Sequence, residues 1–307
     1  MTTDAMTTDA ALDAQDKRFL KGLSVRSDAK GLVRLAGHLA LIGATSLAVW
    51  LASSTWLAWP AMFAQGMALV FLFCALHETV HRTAFASLWL NGIVAHVAGF
   101  IVVLPPAWFR AFHLAHHRHT QIPGEDPELD DKRVDTWPRY LWHVSGLKYW
   151  TSALGGLATH ALGNVPERYV APGLGPRVIV EARWFVAGYA LLAAGSVLLG
   201  TDALLRYWIL PVLLAQPVLR LYLLAEHGLC PFIGDPFSNT RTTFTTRFVR
   251  FLAWNMPYHT EHHAFMGVPF HALPAVHNRF RIRLENTSDG YAAFNLRYLR
   301  EAVRRGG

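Results

Sequence analysis

The chain of 307 residues is 52% hydrophobic but only 16% charged, and its mean hydropathy is +0.23. Soluble globular proteins carry about a quarter of their residues as charged side chains, so this composition excludes an ordinary soluble enzyme, and it equally excludes a disordered or fibrous chain. The net charge of +7 does not indicate nucleic-acid binding, because the basic residues gather in polar segments that flank long apolar runs. The composition predicts a protein embedded in a membrane.

Residues 1–30 are predicted to form a polar, disordered N-terminal tail. The tail begins with a five-residue duplication, MTTDA repeated, and contains no apolar segment of the kind found in a cleavable signal peptide. Six basic residues between Lys17 and Arg34 precede the first long apolar run. Residues 31–307 are predicted to form a single domain, because neither an internal repeat nor a low-complexity linker interrupts them.

Four apolar runs are long enough to cross a bilayer, which requires about 20 residues. They form two pairs, and each pair is separated by a short turn, at Pro60 and at residues 200–206, so both pairs are predicted to be helical hairpins. The four runs are Leu35–Trp59, Ala61–Leu76, Trp184–Gly200 and Tyr207–Ala225. The predicted fold class is therefore all-α: an integral membrane protein with two transmembrane hairpins.

The distribution of Lys and Arg predicts the orientation in the membrane. The two hairpin turns contain only Arg206, whereas the N-terminal segment and residues 109–183 and 241–305 are rich in basic side chains. By the positive-inside rule these three segments face the cytoplasm. A third crossing at Leu88–Trp108 would place residues 109–183 outside, so this proline-containing run is predicted to be a re-entrant or interfacial helix. The expected location is the inner (cytoplasmic) membrane, with a histidine-rich cap in the cytoplasm.

Sixteen histidines are many for this chain, and three clusters of them lie on the predicted cytoplasmic side. Imidazoles three or four positions apart share one face of a helix, so each cluster can present its rings to a metal ion. Solvated surface histidines are the alternative, but they require the spacing HxxHH to arise twice by chance. The clusters are His77 and His81; His113, His116 and His117; and His259, His262 and His263. His227, at the end of the fourth run, is a ninth candidate ligand.

Eight imidazoles exceed the needs of one tetrahedral site, so the sequence predicts two metal ions; imidazole suits Zn, Cu, Fe or Ni. Glu78, Glu226 and Glu261 lie beside candidate ligands but on another helical face, where they are predicted to accept hydrogen bonds from imidazole N–H groups. The acidic segment 125–131 is predicted to be a solvated loop. The histidines left outside the site are His38, His96, His119, His143, His160, His271 and His277.

The clusters and their order resemble the three histidine boxes of the integral-membrane fatty acid desaturases, a family related to alkane hydroxylases and carotenoid ketolases. The resemblance covers residues 30–280 through HETVH, FHLAHHRHT, AEH and NMPYHTEHH. The sequence around the last two boxes is most similar to that of bacterial desaturases grouped with the dihydrorhizobitoxine desaturases. The resemblance implies that all nine histidines hold two Fe ions in a cytoplasmic di-iron centre that activates O2. It also implies a separate electron donor of the ferredoxin or cytochrome b5 type.

An alkyl C–H bond offers no charge on which acid–base or nucleophilic catalysis can act, whereas a redox metal can remove its hydrogen. The activity that the resemblance implies is desaturation of a fatty acyl chain, with no catalytic residue beyond the metal ligands, in an apolar tunnel lined by Trp108, Phe109, Phe112 and Trp254. The same centre could instead act as a hydroxylase or ketolase, or desaturate a small amino-acid-like metabolite. More distant alternatives are a membrane zinc hydrolase, for which three histidines and a water suffice, and a metal transporter.

Overall fold

The structure, a computed structural model, describes residues 12–131 and 133–303. This part of the chain is mostly α-helical, and its strands are two-residue segments, β1 (Thr242–Thr243) and β2 (Thr287–Ser288), which pair in parallel. The α-helices in chain order are α1 (Ala14–Leu23), α2 (Asp28–Leu51), α3 (Ala58–Val70), α4 (Leu72–His81), α5 (Leu88–Val102), α6 (Pro106–His119), α7 (Trp137–Val144), α8 (Leu147–Ala161), α9 (Gly175–Leu198), α10 (Leu210–His227), α11 (Pro236–Asn239), α12 (Arg247–Leu252), α13 (His259–Ala264), α14 (Leu273–Phe280) and α15 (Tyr291–Tyr298). Short 3-10 or π-helical segments are Pro127–Leu129, Pro172–Leu174, Leu205–Ile209, Arg281–Arg283 and Leu299–Val303.

Four helical segments are long and apolar enough to cross a membrane, which confirms the predicted all-α membrane fold with four spans. The spans are Asp28–Leu51, Ala58–His81, Pro172–Leu198 and Leu205–His227. The second span is the central one, because 61% of its apolar window is buried, against 11%, 22% and 39% for the first, third and fourth. The other three spans turn apolar side chains outward, as helices that face lipid do.

The first hairpin turn lies at residues 52–57, so the prediction that places it at Pro60 is wrong. Helix α3 already begins at Ala58, and Pro60 lies in its first turn. Proline is tolerated there because the N–H groups of a first helical turn have no intrahelical partner. A proline beside a short polar stretch therefore marks the start of this helix and not the connection before it.

The N-terminal segment differs from the predicted disordered tail over the residues that the structure describes. Residues 14–23 form α1, capped by Asp13, whose carboxylate accepts from Asp16 N at 2.7 Å. Helix α2 begins at Asp28, ahead of the predicted start at Leu35, because Ser27 caps it by accepting from Lys30 N at 3.3 Å. Residues 1–11 of the predicted tail lie outside the described part of the chain.

The third and fourth spans follow each other in sequence but pack against different partners. Helix α9 lies against α8, whereas α10 lies against α3 of the second span. Gly66 makes the second contact possible, because a Cβ there would lie 1.9 Å from the carbonyl oxygen of Pro211. Small residues allow such close backbone approach between membrane helices. The ends of α4 and α10 that carry His81 and His227 are thereby brought side by side.

Helices α5 and α6 meet at a bend of 94°, the shape expected of the predicted re-entrant or interfacial element. The break follows Val103, which has a positive φ of 59°, and consecutive prolines begin the next helix. Glu181 of α9 stabilises the bend, since its carboxylate accepts from Ala107 N at 2.7 Å and from His96 Nε2 at 3.1 Å. The bend directs α6, with its histidines, beneath the ends of α4 and α10.

Candidate metal centre

Four helices bring the nine predicted histidines into one cluster of contacting rings. The cluster draws on the last turns of α4 and α10, on α6 and on α13. Ring centroids lie as close as 4.2 Å between His77 and His113 and 4.0 Å between His117 and His263. Residues as far apart in sequence as His77 and His262 have rings 4.6 Å apart. These ring distances agree with the prediction that distant histidine clusters share one pocket.

The first group of imidazoles can surround one ion. Its potential ligand atoms all lie within 4.8 Å of one another, and its members are His77, His81, His113, His117 and His262. The Nε2 atom of His113 lies 2.8 Å from that of His81 and 3.0 Å from that of His117. Both ring nitrogens of His77 are buried without a hydrogen-bond partner. Buried polar atoms are normally satisfied, so these converging nitrogens fit a cation.

The second group lies beside the first and consists of His116, His227 and His263. The Nε2 atoms of His116 and His227 are 3.1 Å apart, and Nε2 of His263 is buried without a hydrogen-bond partner. His259 lies outside both groups by the distance that defines them, although its Nε2 is 3.2 Å from Nε2 of His227. Eight of the nine predicted ligands thus divide into groups of five and three, and the ninth adjoins the smaller group.

The outer nitrogens of the second group are held by groups that sequence reasoning did not identify. Asp126 Oδ1 accepts from His116 Nδ1 at 3.0 Å, and the carbonyl oxygen of Asn239 lies 3.2 Å from His227 Nδ1. The hydroxyl of Thr120 lies 3.1 Å from His263 Nδ1. A ring whose Nδ1 is held from outside directs Nε2 toward the centre, as partners of metal-binding histidines commonly do.

The prediction that residues 125–131 form a solvated loop is wrong for Asp126, whose exposed fraction is 1%. The chain folds back after α6, so that Asp126 also accepts from Gln121 N at 2.8 Å and from Glu128 N at 3.0 Å. Nothing in the composition of this acidic segment distinguishes the buried carboxylate from its exposed neighbours. Its burial depends on the contact with His116, which only the tertiary structure shows.

Asp126→Asn is expected to lower metal affinity at the second group, because an amide is a weaker acceptor for His116 Nδ1. Loss of such a supporting contact commonly costs 10- to 100-fold in metal affinity. The measurement is the metal content of the purified variant under a series of chelator concentrations. Asp130→Asn is the control, since Asp130 forms an exposed ion pair with Arg168. Equal metal retention by the two variants would contradict the role of Asp126.

The three glutamates predicted to support imidazoles have different partners. Glu78 instead accepts from the Thr83 hydroxyl and from Phe270 N, at 2.7 and 2.9 Å. Glu261 accepts from His277, a histidine placed outside the site, at 2.5 Å. Glu226 alone lies near a predicted ligand, with its Oε1 3.6 Å from Nδ1 of His259. These carboxylates therefore mainly join the segments that carry the ligands.

Other histidines outside the predicted site contact protein groups. His38 is fully buried, with Nε2 2.8 Å from the carbonyl oxygen of Ala68 and Nδ1 accepting from Trp254 Nε1 at 3.2 Å. His160 Nε2 lies 2.8 Å from Glu167, and His119 Nδ1 lies 2.6 Å from Glu125. Their exclusion from the predicted site agrees with these partners.

Burial governs the protonation of the last histidine cluster. Removal from water, followed by repulsion from neighbouring imidazoles, holds the pKa values of His259, His262 and His263 well below the ordinary histidine range. These rings are therefore neutral at physiological pH. Neutral imidazole is the form that binds a metal ion, so the cluster needs little proton release before ligation.

A cavity of about 880 Å³ opens directly onto the cluster. Five of the nine predicted ligands line it: His77, His113, His116, His227 and His259. Trp108, Phe109 and Phe112 line it as predicted, together with Phe73. Trp254 does not, because it is fully buried in the core beside His38 and Phe270. An apolar molecule in this cavity would contact the histidines at one end.

The fold and the cluster define a helical membrane protein with a buried, histidine-rich site suited to metal ions. The sequence pattern of the fatty acid desaturase family matches residues 54–294. The chain is 24% identical to the sn-1 oleoyl-lipid 12-desaturase of Picosynechococcus sp., in a match that covers 76% of this chain and 71% of that protein. It is 27% identical to dihydrorhizobitoxine desaturase of Bradyrhizobium elkanii, over 85% of this chain and 77% of that protein.

The chain therefore belongs to the fatty acid desaturase family, and the predicted resemblance is confirmed. Membership and the two relatives support an oxidoreductase of the desaturase type.

Proposed function

We propose that the protein is an O2-dependent di-iron desaturase that introduces a double bond into a fatty acyl chain. One observation carries the proposal: imidazoles from four helices converge into two adjoining groups, and five of the nine line a largely apolar cavity. Removal of hydrogen from an unactivated C–H bond requires a redox metal, and histidine-rich sites suit iron as well as zinc and copper. Family membership favours iron among these.

The proposed ligands are the nine histidines of the cluster. His77, His81, His113, His117 and His262 would hold one ion, and His116, His227 and His263 the other, with His259 adjoining them. When bound, the iron pair supplies the reduction of O2 and the removal of hydrogen. In the balanced reaction a CH2–CH2 unit loses two hydrogens, two electrons come from a separate donor, and O2 with two further protons leaves as two waters.

The protein's own residues would position the substrate and exclude water. Phe73 and Phe109 line the cavity together with the histidines, with ring centroids 5.5 Å apart, and Phe109 stacks on His113 at 5.5 Å. These rings present an apolar surface beside the histidines, which suits an alkyl chain and excludes competing water there. Asp126, Thr120 and Asn239 would hold the ligand rings in orientation.

The proposed setting is the inner membrane, with the site facing the cytoplasm. Basic residues are concentrated in the segments that carry the histidine clusters, and the positive-inside rule places such segments in the cytoplasm. Exposed Trp50, Trp56 and Trp59 surround the first hairpin turn at the opposite end, where aromatic side chains commonly mark a membrane interface. A ferredoxin-type or cytochrome b5-type protein would deliver electrons from the cytoplasm.

Metal and product analysis of the wild-type protein test this proposal together. We expect close to two iron ions per chain, and mass spectrometry of lipids from a host that expresses the protein is expected to show loss of two hydrogen atoms from an acyl chain. Chelation of iron should abolish the product. Gain of an oxygen atom would support a hydroxylase, and an unsaturated amino-acid-like product would move the substrate away from lipids. Zinc without iron would contradict an oxidoreductase and favour a hydrolase.

A further inference from the structure

Arg220 is a cationic side chain within the fourth span, and it faces the cavity. Residues three, four and seven positions apart share one face of a helix. Arg220, Leu223, Leu224 and His227 of α10 line the cavity along one such face, and Glu226 of the same helix lines it beside them. Arg220 precedes His227 by two helical turns, which is about 10 Å along the helix axis. A molecule in the cavity can therefore contact Arg220 at one point and the histidine cluster at another.

Neighbouring side chains hold the guanidinium in place without neutralising it. Tyr149 supports one face, with its ring centroid 4.5 Å from the guanidinium carbon. Gln216, with its amide oxygen turned toward Arg220, accepts from Nε at 3.1 Å and from Nη2 at 3.2 Å. The tyrosine is itself anchored, because its hydroxyl donates to the carbonyl oxygen of Val102. Arginine has five N–H donors, so donors remain available to a ligand.

Arg220 also lacks a close counter-ion. Among residues 12–131 and 133–303, no carboxylate lies within 4.0 Å of its guanidinium. The other two cations that line the cavity differ from Arg220 in this respect. Lys148 pairs with Asp131 at 2.9 Å, and Arg133 is exposed to solvent. A half-buried charge at membrane depth is costly unless it is paired.

Two carboxylates, those of Glu128 and Glu226, attract the guanidinium electrostatically, and both line the same cavity. Glu128 Oε2 lies 3.8 Å from His116 Nδ1, and Glu226 Oε1 lies 3.6 Å from His259 Nδ1. They reduce the positive potential at Arg220 without forming an ion pair with it.

We propose that Arg220 binds a carboxylate of the substrate, so that the chain desaturated in the proposed reaction enters the cavity as a free acid and not as an ester. A guanidinium held at a fixed orientation matches a carboxylate with two parallel hydrogen bonds. The carboxylate would lie at Arg220, while the alkyl part passes Leu223 and Leu224 toward the histidines. An ester offers no negative charge at this point and would leave Arg220 without a counter-ion. The reacting position rests on the proposed desaturase function, whereas binding of the carboxylate does not.

Calorimetric titration of the iron-containing protein in lipid nanodiscs tests this inference. The probes are octanoate, methyl octanoate and 2-aminooctanoate, which have the same chain length and differ in their charged groups. We expect wild type to bind at least one acid about tenfold or more tightly than the methyl ester, as for a charge-assisted hydrogen bond. Stronger binding of octanoate would identify a fatty acid as the source of the carboxylate, and stronger binding of 2-aminooctanoate an amino acid.

Arg220→Gln is expected to bind all three probes within about twofold of one another. Arg206→Gln is the control, because Arg206 lies at the other end of the same span and pairs with Asp202 at 2.6 Å; it should retain the wild-type preference. The iron content and melting temperature of Arg220→Gln show whether its fold is intact. If that variant fails to fold, Arg220→Lys replaces it, with a preference reduced by the loss of bidentate geometry.

Equal binding of the acids and the ester by wild type, or no binding of either acid, would overturn the inference. A preference that persists in a folded Arg220→Gln would overturn it as well. None of these results bears on the desaturase function, because the double bond formed in lipids or metabolites is measured separately.

Discussion

His117→Ala is expected to abolish desaturation and to lower the iron content of the purified protein. His117 joins the two groups of imidazoles, since its Nε2 lies 3.1 Å from that of His262 and its ring stacks on His263 at 4.0 Å. Removal of this ring deletes a ligand of the first group and also the stacking contact with His263 of the second group. We expect product formation to fall by more than about 100-fold, because even supporting residues commonly cost 10- to 100-fold.

His119→Ala is the matched control for this prediction. His119 lies two residues further along α6, but its ring pairs with Glu125 and does not enter either group. We expect iron content and product formation close to wild type. Lipid mass spectrometry and elemental analysis measure the two quantities, and a His117→Ala variant that keeps both iron and product would refute the assignment of His117 as a ligand.

Gly66→Ala is expected to produce the largest loss of stability among single-methyl substitutions in the spans. The added Cβ would meet the carbonyl oxygen of Pro211 at 1.9 Å, and backbone cannot move aside as a flexible side chain can. We expect a cost at the upper end of the roughly 1–3 kcal/mol of overpacking. Because α10 would be displaced from α3, and α10 carries His227 and Arg220, iron content should fall too. Thermal unfolding in detergent measures the change in melting temperature.

Gly43→Ala provides the control in α2, where a Cβ would meet nothing within 4 Å. Alanine is preferred to glycine in a helix by about 0.8–1 kcal/mol, so this variant should melt at the wild-type temperature or above it. The same preference acts at position 66 and is outweighed there by the clash. A melting temperature of Gly66→Ala equal to that of Gly43→Ala would show that α3 and α10 are not in close contact.

Much of the fold could be predicted because each membrane-spanning helix requires a continuous run of apolar residues, which is visible in the sequence. Apolar runs located all four spans, and the run Leu88–Trp108, predicted to be a re-entrant or interfacial helix, contains the bend between α5 and α6. The boundaries were less accurate. Helix α2 begins at Asp28 because Ser27 caps it, and Pro60 lies inside α3 because a first helical turn accepts proline.

The candidate site was likewise predicted only in part. Helical spacing identified the clusters on α4, α6 and α13, and the structure brings all of them together. The separation of His259 from the two groups, and the burial of Asp126 beneath His116, have no local signature. Trp254 was predicted to line the tunnel from its position near the last cluster, but it packs with His38 from a helix more than two hundred residues away.

The sequence by itself was enough to identify the class of protein, the four membrane segments and the nine histidines that the structure brings together, because hydropathy and helical spacing are properties of neighbouring residues. Only the tertiary structure decided how those imidazoles divide between two groups, which carboxylate supports them, and that Arg220 faces the same cavity as His227. These relations depend on close packing between helices that are distant in the chain, such as the approach of α3 and α10 at Gly66. No spacing along a single helix encodes such an approach.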